Sequence, residues 1–132
     1  MPAPSVVLRP LAGDYVIARL APTAEPPARL LTSPDLDGFV SITRTPQELS
    51  IVCRSESAPE DAEIDGPWTA VYASGPIPFG LTGVVTSLVA PLSAVGCPVF
   101  VVSTFDGDVL MFPTASRDQA REQLAAAGHT LL

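Results

Sequence analysis

The sequence predicts an α+β fold in which antiparallel strands carry helices on one face. Three observations predict it. Apolar residues at Leu81, Val84, Val85, Leu88, Val89, Leu92 and Val95 recur at helical spacing and form one continuous face. Two β-rich runs then flank Asp106-Gly107, a strong short hairpin signal. From Trp68 onward the elements follow the order strand, helix, strand, strand, helix, short strand.

Taken from the N-terminus, Val6 to Leu11 is a short apolar lead-in read as an edge strand, and Asp14 to Leu20 is a strand after the turn at Gly13. Three prolines make Ala21 to Pro27 a loop, Ala28 to Leu31 form one helical turn, and Ser33 to Gly38 is a polar turn cluster. Phe39 to Arg44 alternates residue by residue, and Leu49 to Arg54 is its paired strand across Thr45-Pro46-Gln47-Glu48. Ser55 to Pro67 is polar and acidic and reads as a linker. Trp68 to Ala73 opens a new strand, and Ser74 to Pro78 turns into the helical stretch that follows. Thr82, with glycines on both sides, is placed to cap that helix, and Pro91 inside it predicts a kink rather than a break. Ser116 with Gln119 resembles a capping box for a last helix whose narrow face is Ala120, Leu124 and Ala127. Gly128 is a good stop, and His129 to Leu132 adds a short strand. The second half thus has the split βαβ order of a ferredoxin-like sandwich. The first half repeats it with reduced helices, although no residue-level repeat is evident. The boundary falls between an N-terminal module, 1–63, and a C-terminal module, 64–132.

Composition narrows the function. With 132 residues, 47% hydrophobic and 16% charged, the chain has enough apolar side chain for a core and is not of disordered type. Its mean hydropathy is +0.35. The net charge of −7 and the absence of a basic cluster disfavour nucleic-acid binding and attraction to a membrane, and are permissive for a cationic ligand. No apolar run approaches the ~20 residues needed to span a bilayer, and the N-terminus has no signal-peptide pattern. Cys53 and Cys97 sit in apolar strand-like runs and read as reduced core thiols, which fits the cytoplasm.

Three blocks carry a resemblance. They are Gly38 to Thr45 followed by Glu48 to Cys53, then Phe79-Gly80-Leu81-Thr82-Gly83, then Ser103-Thr104-Phe105-Asp106-Gly107-Asp108. Together, and in this order, they resemble small bacterial proteins with tandem ACT domains, related to the ACT repeats of aspartate kinases and of cytosolic arginine sensors. The resemblance spans Asp14 to Ala127. It implies two ferredoxin-like βαββαβ modules that pair side by side, amino-acid binding at a seam within or between chains, and a homodimer. Carried onto this chain, Leu81, Thr82 and Gly83 form one wall of the site. Thr104, Phe105 and Asp108 form another, and Pro98 and Val99 face the partner module. The chain departs from many relatives at Gly107, where they have threonine, and at Val109, where they often have an aromatic.

The chemistry fits that assignment. A helix N-terminus offers unpaired N–H groups and a partial positive charge to a carboxylate, glycines at 80 and 83 allow close approach, and Asp106 or Asp108 can accept an ammonium or a basic side chain. On spacing alone Thr82 is a cap and Asp106-Gly107 a turn. The resemblance shifts Thr82, Gly83 and Asp108 to the ligand and leaves Asp106 in the turn. Catalysis finds no motif: no nucleophile elbow, no phosphate loop and no metal-ligand spacing, while His129 reads as an exposed tail residue. The expectation is a cytoplasmic amino-acid-binding regulatory module, not an enzyme, without cofactor or metal. The competing reading is a dimerisation or protein-docking module with no physiological ligand.

Overall fold

The computed structural model describes residues 4–32, 38–73 and 82–132. The chain divides into two compact units, Leu11–Trp68, and Met1–Pro10 together with Thr69–Leu132. The boundary expected at residue 63 falls at the start of one long strand, Glu63–Ala73, which begins in the first unit and ends in the second.

In the unit Leu11–Trp68 the elements are strand β2 (Tyr15–Leu20), helix α1 (Ala28–Thr32), β3 (Ser41–Arg44), β4 (Leu49–Arg54), a 3₁₀ turn (Ser55–Ser57) and the first part of β5 (Glu63–Ala73). The strand order β3-β4-β2-β5 is antiparallel throughout. This is the ferredoxin-like arrangement with both helices shortened, as the sequence predicts. Alternation puts Leu49, Ile51 and Cys53 on one face, where they pack with Val16, Ala18, Ile42 and Leu30. Arg29 of α1 ties that helix to the 3₁₀ turn by donating to the Ser57 carbonyl at 3.0 Å.

The stretch read as a linker, Ser55 to Pro67, ends in strand from Glu63 onward. Glu63, Ile64 and Asp65 pair with Arg19, Ala18 and Ile17 of β2. Polar composition hid this because Glu63, Ile64 and Asp65 are all largely exposed, so no alternation is visible. Pro67 is tolerated because the β2–β5 ladder shifts register between Tyr15 and Ile17.

The other unit holds β1 (Val7–Pro10), the end of β5, α2 (Val84–Ser93), β6 (Phe100–Ser103), β7 (Asp108–Pro113), α3 (Arg117–Ala126) and β8 (Thr130–Leu131). Its strand order is β6-β7-β5-β1-β8. β1 is not an edge strand. It lies between β5, to which it is antiparallel, and β8, to which it is parallel. Leu8, Val71, Ala73, Leu110 and Phe112 face Val84, Leu88 and Leu92 of α2 and Ala120 and Leu124 of α3 in one core.

The helix starts differ from expectation, and the stop expected at Gly128 is found. The N-cap of α2 is Gly83, at φ +85°, with no side-chain cap, so Thr82 lies one residue outside the helix. The apolar face is narrower than its seven members: Val85 and Val95 are exposed, and Leu81 and the Ser74–Pro78 turn lie outside the described residues, as do 33–37. Pro91 sits inside a single helix that ends two residues later. The capping box at Ser116 and Gln119 does not form, since a 3₁₀ turn, Thr114–Ser116, already leads into α3. Both helices stop in the same way. A glycine at positive φ, Gly96 or Gly128, is followed by a 6→1 backbone bond, from Cys97 to Leu92 at 3.0 Å and from His129 to Leu124 at 3.1 Å.

Candidate functional site

The β6–β7 hairpin is closed by a threonine. The Thr104 amide donates to the Gly107 carbonyl at 2.8 Å, and the Gly107 amide donates to Thr104 Oγ1 at 3.2 Å. The turn residues are therefore Phe105 and Asp106, and Gly107 already belongs to the closing pair. Gly107 does not have a positive φ. It is glycine because a side-chain carbon there would overlap the Ala73 carbonyl and stand 2.9 Å from the Tyr72 hydroxyl. The hairpin is as expected, but its turn is Phe105-Asp106 rather than Asp106-Gly107, and the reason for the glycine is close approach to β5.

Asp108 follows. Its side chain is 7% exposed, and Ser103 Oγ, its cross-strand neighbour, donates to Oδ1 at 2.5 Å. By strand alternation Asp108 shares a face with Leu110 and Phe112, the face covered by the helices. Phe105, at the turn, is 77% exposed.

The start of α2 lies at the same end of this unit. Gly107 abuts the end of β5 at Ala73, and Ala73 is paired with Leu8 of β1. Just before β1, Pro4 packs where a side chain on Gly83 would begin, 3.6 Å away. His129 ties these parts together. It is buried, not an exposed tail residue: Nδ1 accepts from the Val6 amide at 3.2 Å, so Nε2 carries the proton and donates to the Ser87 carbonyl at 2.9 Å. His129 follows directly on the Schellman stop at Gly128. Ser87 Oγ bonds back to the Val84 carbonyl at 2.7 Å in the same first turn.

Of the expected site residues, Thr104, Phe105 and Asp108 therefore share one hairpin, and Thr82 and Gly83 sit at the same end. Pro98 and Val99 precede β6 and lie at its far end, roughly 15–20 Å along the strand from the turn at ~3.3 Å per residue. Val99 packs on the core. Ser103 was not singled out, because a lone serine at a strand end carries no sequence signal.

Elsewhere, a depression of about 290 Å³ in the first unit is bordered by Arg19, Glu63 and Asp65. Arg19 and Glu63 pair with each other across it, and Asp65 accepts from Trp68 Nε1 at 2.9 Å. Among the described residues no group of His, Cys, Asp or Glu is arranged to hold a metal. No described helix is long and apolar enough to cross a membrane.

The fold and this end of the second unit define a class: a ferredoxin-like module with a buried carboxylate on the helix-covered face of its sheet. The ACT-domain family model matches residues 63–126, and a model described as an N-terminal domain matches 13–61. A crystallised protein of Agobacterium tumefaciens is 45% identical, with 98% of this chain and 94% of that one covered and a TM-score of 0.88. Residues 63–126 of the chain belong to the ACT-domain family.

A Vibrio cholerae protein of unknown function, described as a possible transport protein, is similar at 18% identity, 93% and 90% coverage and a TM-score of 0.72. The ligand-free regulatory subunit of aspartate kinase from Thermus thermophilus is similar at 12% identity, 94% and 99% coverage and a TM-score of 0.62. At these identities the likeness is one of fold. Comparison with curated proteins gives no match.

Proposed function

We propose that the chain is an amino-acid-binding regulatory module, with its site at the end of the second unit where α2 begins. The observation that carries this reading is Asp108, a buried carboxylate on the helix-covered face of the sheet. A carboxylate there is costly to bury without a partner, and one serine hydroxyl is a modest one. The ligand's ammonium is the proposed second partner. Its carboxylate meets the first-turn amides of α2, which have no side-chain cap. Gly83, at positive φ, sets how the chain enters that first turn. Thr82 and Thr104 border the site and Phe105 covers it. Leu81, Pro98 and Val99 complete it in a homodimer, in which a second copy packs beside the first.

Regulation follows if the ligand binds two arrangements of this end with different affinity. Calorimetric titration with the twenty amino acids is the test. One or more should bind, and Asp108→Ala should weaken binding at least about tenfold, the loss of one charge-assisted hydrogen bond. No heat and no thermal shift with any amino acid would overturn the reading.

A further inference from the structure

His129 fastens two parts of the second unit that are far apart in sequence. In an α-helix each carbonyl meets the amide four residues on. Pro91 stands four residues after Ser87 and has no N–H, so α2 leaves the Ser87 carbonyl without that donor. His129 Nε2 supplies one, at 2.9 Å. With the proton held on Nε2, Nδ1 is an acceptor, and the Val6 amide donates to it at 3.2 Å. A proline in the helix thus sets the tautomer, and the tautomer sets the hold on the N-terminal segment.

Val6 is where that segment is tied. Its carbonyl accepts from the Thr130 amide at 3.0 Å. Two residues before it Pro4 packs beside Gly83 at the start of α2, and two residues after it Leu8 is buried between β5 and β8. Residues 4–6 are therefore a strap that leaves β1 and lies against the start of α2.

A second proton on the ring goes to Nδ1. It sets two N–H groups face to face and takes away the acceptor of the Val6 amide. Among the described residues no carboxylate pairs with the ring. α2 and β8 carry no charged side chain, and β1 carries Arg9, which is exposed. α3 carries Arg117, Asp118 and Glu122, all exposed, and the half-buried Arg121. Leu132, with the terminal carboxylate, is exposed, and Asp108 lies on β7, two strands from β1. The strapped ring holds one proton and the released ring two, so the strap loosens as pH falls.

We propose that His129 is a proton-operated latch. Neutral, it holds the strap of residues 4–6 on the start of α2. With a solvent proton on Nδ1 it drops the Val6 amide, and Pro4 leaves Gly83. β1 stays in the sheet, kept there by Leu8 and by its pairing with β5 and β8. The latch works without any ligand and goes beyond the binding reading above.

Amide hydrogen exchange of the full chain, followed by NMR at about pH 7.5 and about pH 5, tests it, with the His129 ring nitrogens observed in the same samples. Corrected for the intrinsic pH dependence of exchange, protection of the Val6 amide should fall about tenfold as the ring becomes charged, the scale of one lost hydrogen bond. The Leu110 and Phe112 amides in β7 should keep theirs. His129→Gln, which keeps a donor for the Ser87 carbonyl and has no acceptor at Nδ1, should show the low Val6 protection at both pH values. A ring that stays neutral at about pH 5, or Val6 protection that survives its charging, would overturn the latch. So would an equal loss at Leu110 and Phe112, which would mean acid unfolding of the unit rather than release of a strap. Val6 protection that still changes with pH in His129→Gln would overturn the assignment to His129. If that variant does not fold, the unsubstituted chain decides alone.

Discussion

Gly107 and Cys53 show how single residues answer to their surroundings. At Gly107 the neighbour is backbone, the Ala73 carbonyl of β5, and backbone in a sheet cannot give way as a flexible side chain can. Gly107→Ala should lower stability by about 1–3 kcal/mol or more, the usual scale of overpacking, read from denaturant unfolding. Cys53 is buried among apolar residues, and desolvation pushes its thiol above the ordinary value of 9.0, with Arg29 opposing and Glu56 adding to the rise. The unfolded chain therefore loses this proton first. Between the unfolded and the raised folded value the native state holds more protons, so stability falls as pH rises above about 9. Cys53→Ala should remove that alkaline slope, which urea midpoints taken from pH 8 to pH 10.5 would show. Sequence pattern located both residues, Gly107 as part of a hairpin and Cys53 as a core thiol. It missed the burial of His129, because a polar residue near a chain end carries no periodic signal, and its position depends on β1 arriving from the opposite end of the chain.

The helices and strands were legible wherever one face is buried and the other wet. Leu88 and Leu92 announce α2 because both are fully buried at i, i+4 spacing. Leu88→Ala should cost roughly 2–5 kcal/mol, as large-to-small core changes do, and chemical denaturation would measure it. The alternation of Leu49, Ile51 and Cys53 likewise gave β4. The start of β5 was illegible because Glu63, Ile64 and Asp65 point mainly to solvent and Pro67 reads as a breaker. Helix starts misled for another reason. Thr82 and Ser116 have the right residue types for caps, yet residue type does not fix the φ and ψ at which a side chain can reach the first amides. The stop expected at Gly128 forms, at a positive φ that leaves few alternatives, and Gly96, which had not been read as a stop, ends α2 in the same way. The Thr45 and Thr104 closures were visible as residues but not as a repeat. Thr45 bonds to Glu48 as Thr104 bonds to Gly107, but no residue-level repeat around them marks the likeness.

For the molecule as a whole, the class was readable from element order, and the site only in part. Thr104, Phe105 and Asp108 follow from one local hairpin. Their relation to Thr82 and Gly83 depends on pairing between distant segments, which a sequence pattern cannot specify. The same holds for β1, whose place beside β5 needs contacts across more than sixty positions, from Leu8 to Ala73. Cutting the chain at the sequence boundary, residue 63, would leave a C-terminal piece without the strand that separates β5 from β8. Such a piece should aggregate or fail to fold, as size-exclusion chromatography and circular dichroism would show.

That placement of β1 makes the protein separable in an unobvious way. A chain beginning at Leu11 should likewise lack a folded second unit until a synthetic heptapeptide of residues 4–10 is supplied, restoring Leu8 to the core and the Val6 amide to its imidazole. A label on that heptapeptide would then report, by its rate of departure, how firmly the strand is gripped, and a small molecule bound beside Gly83 would slow its leaving.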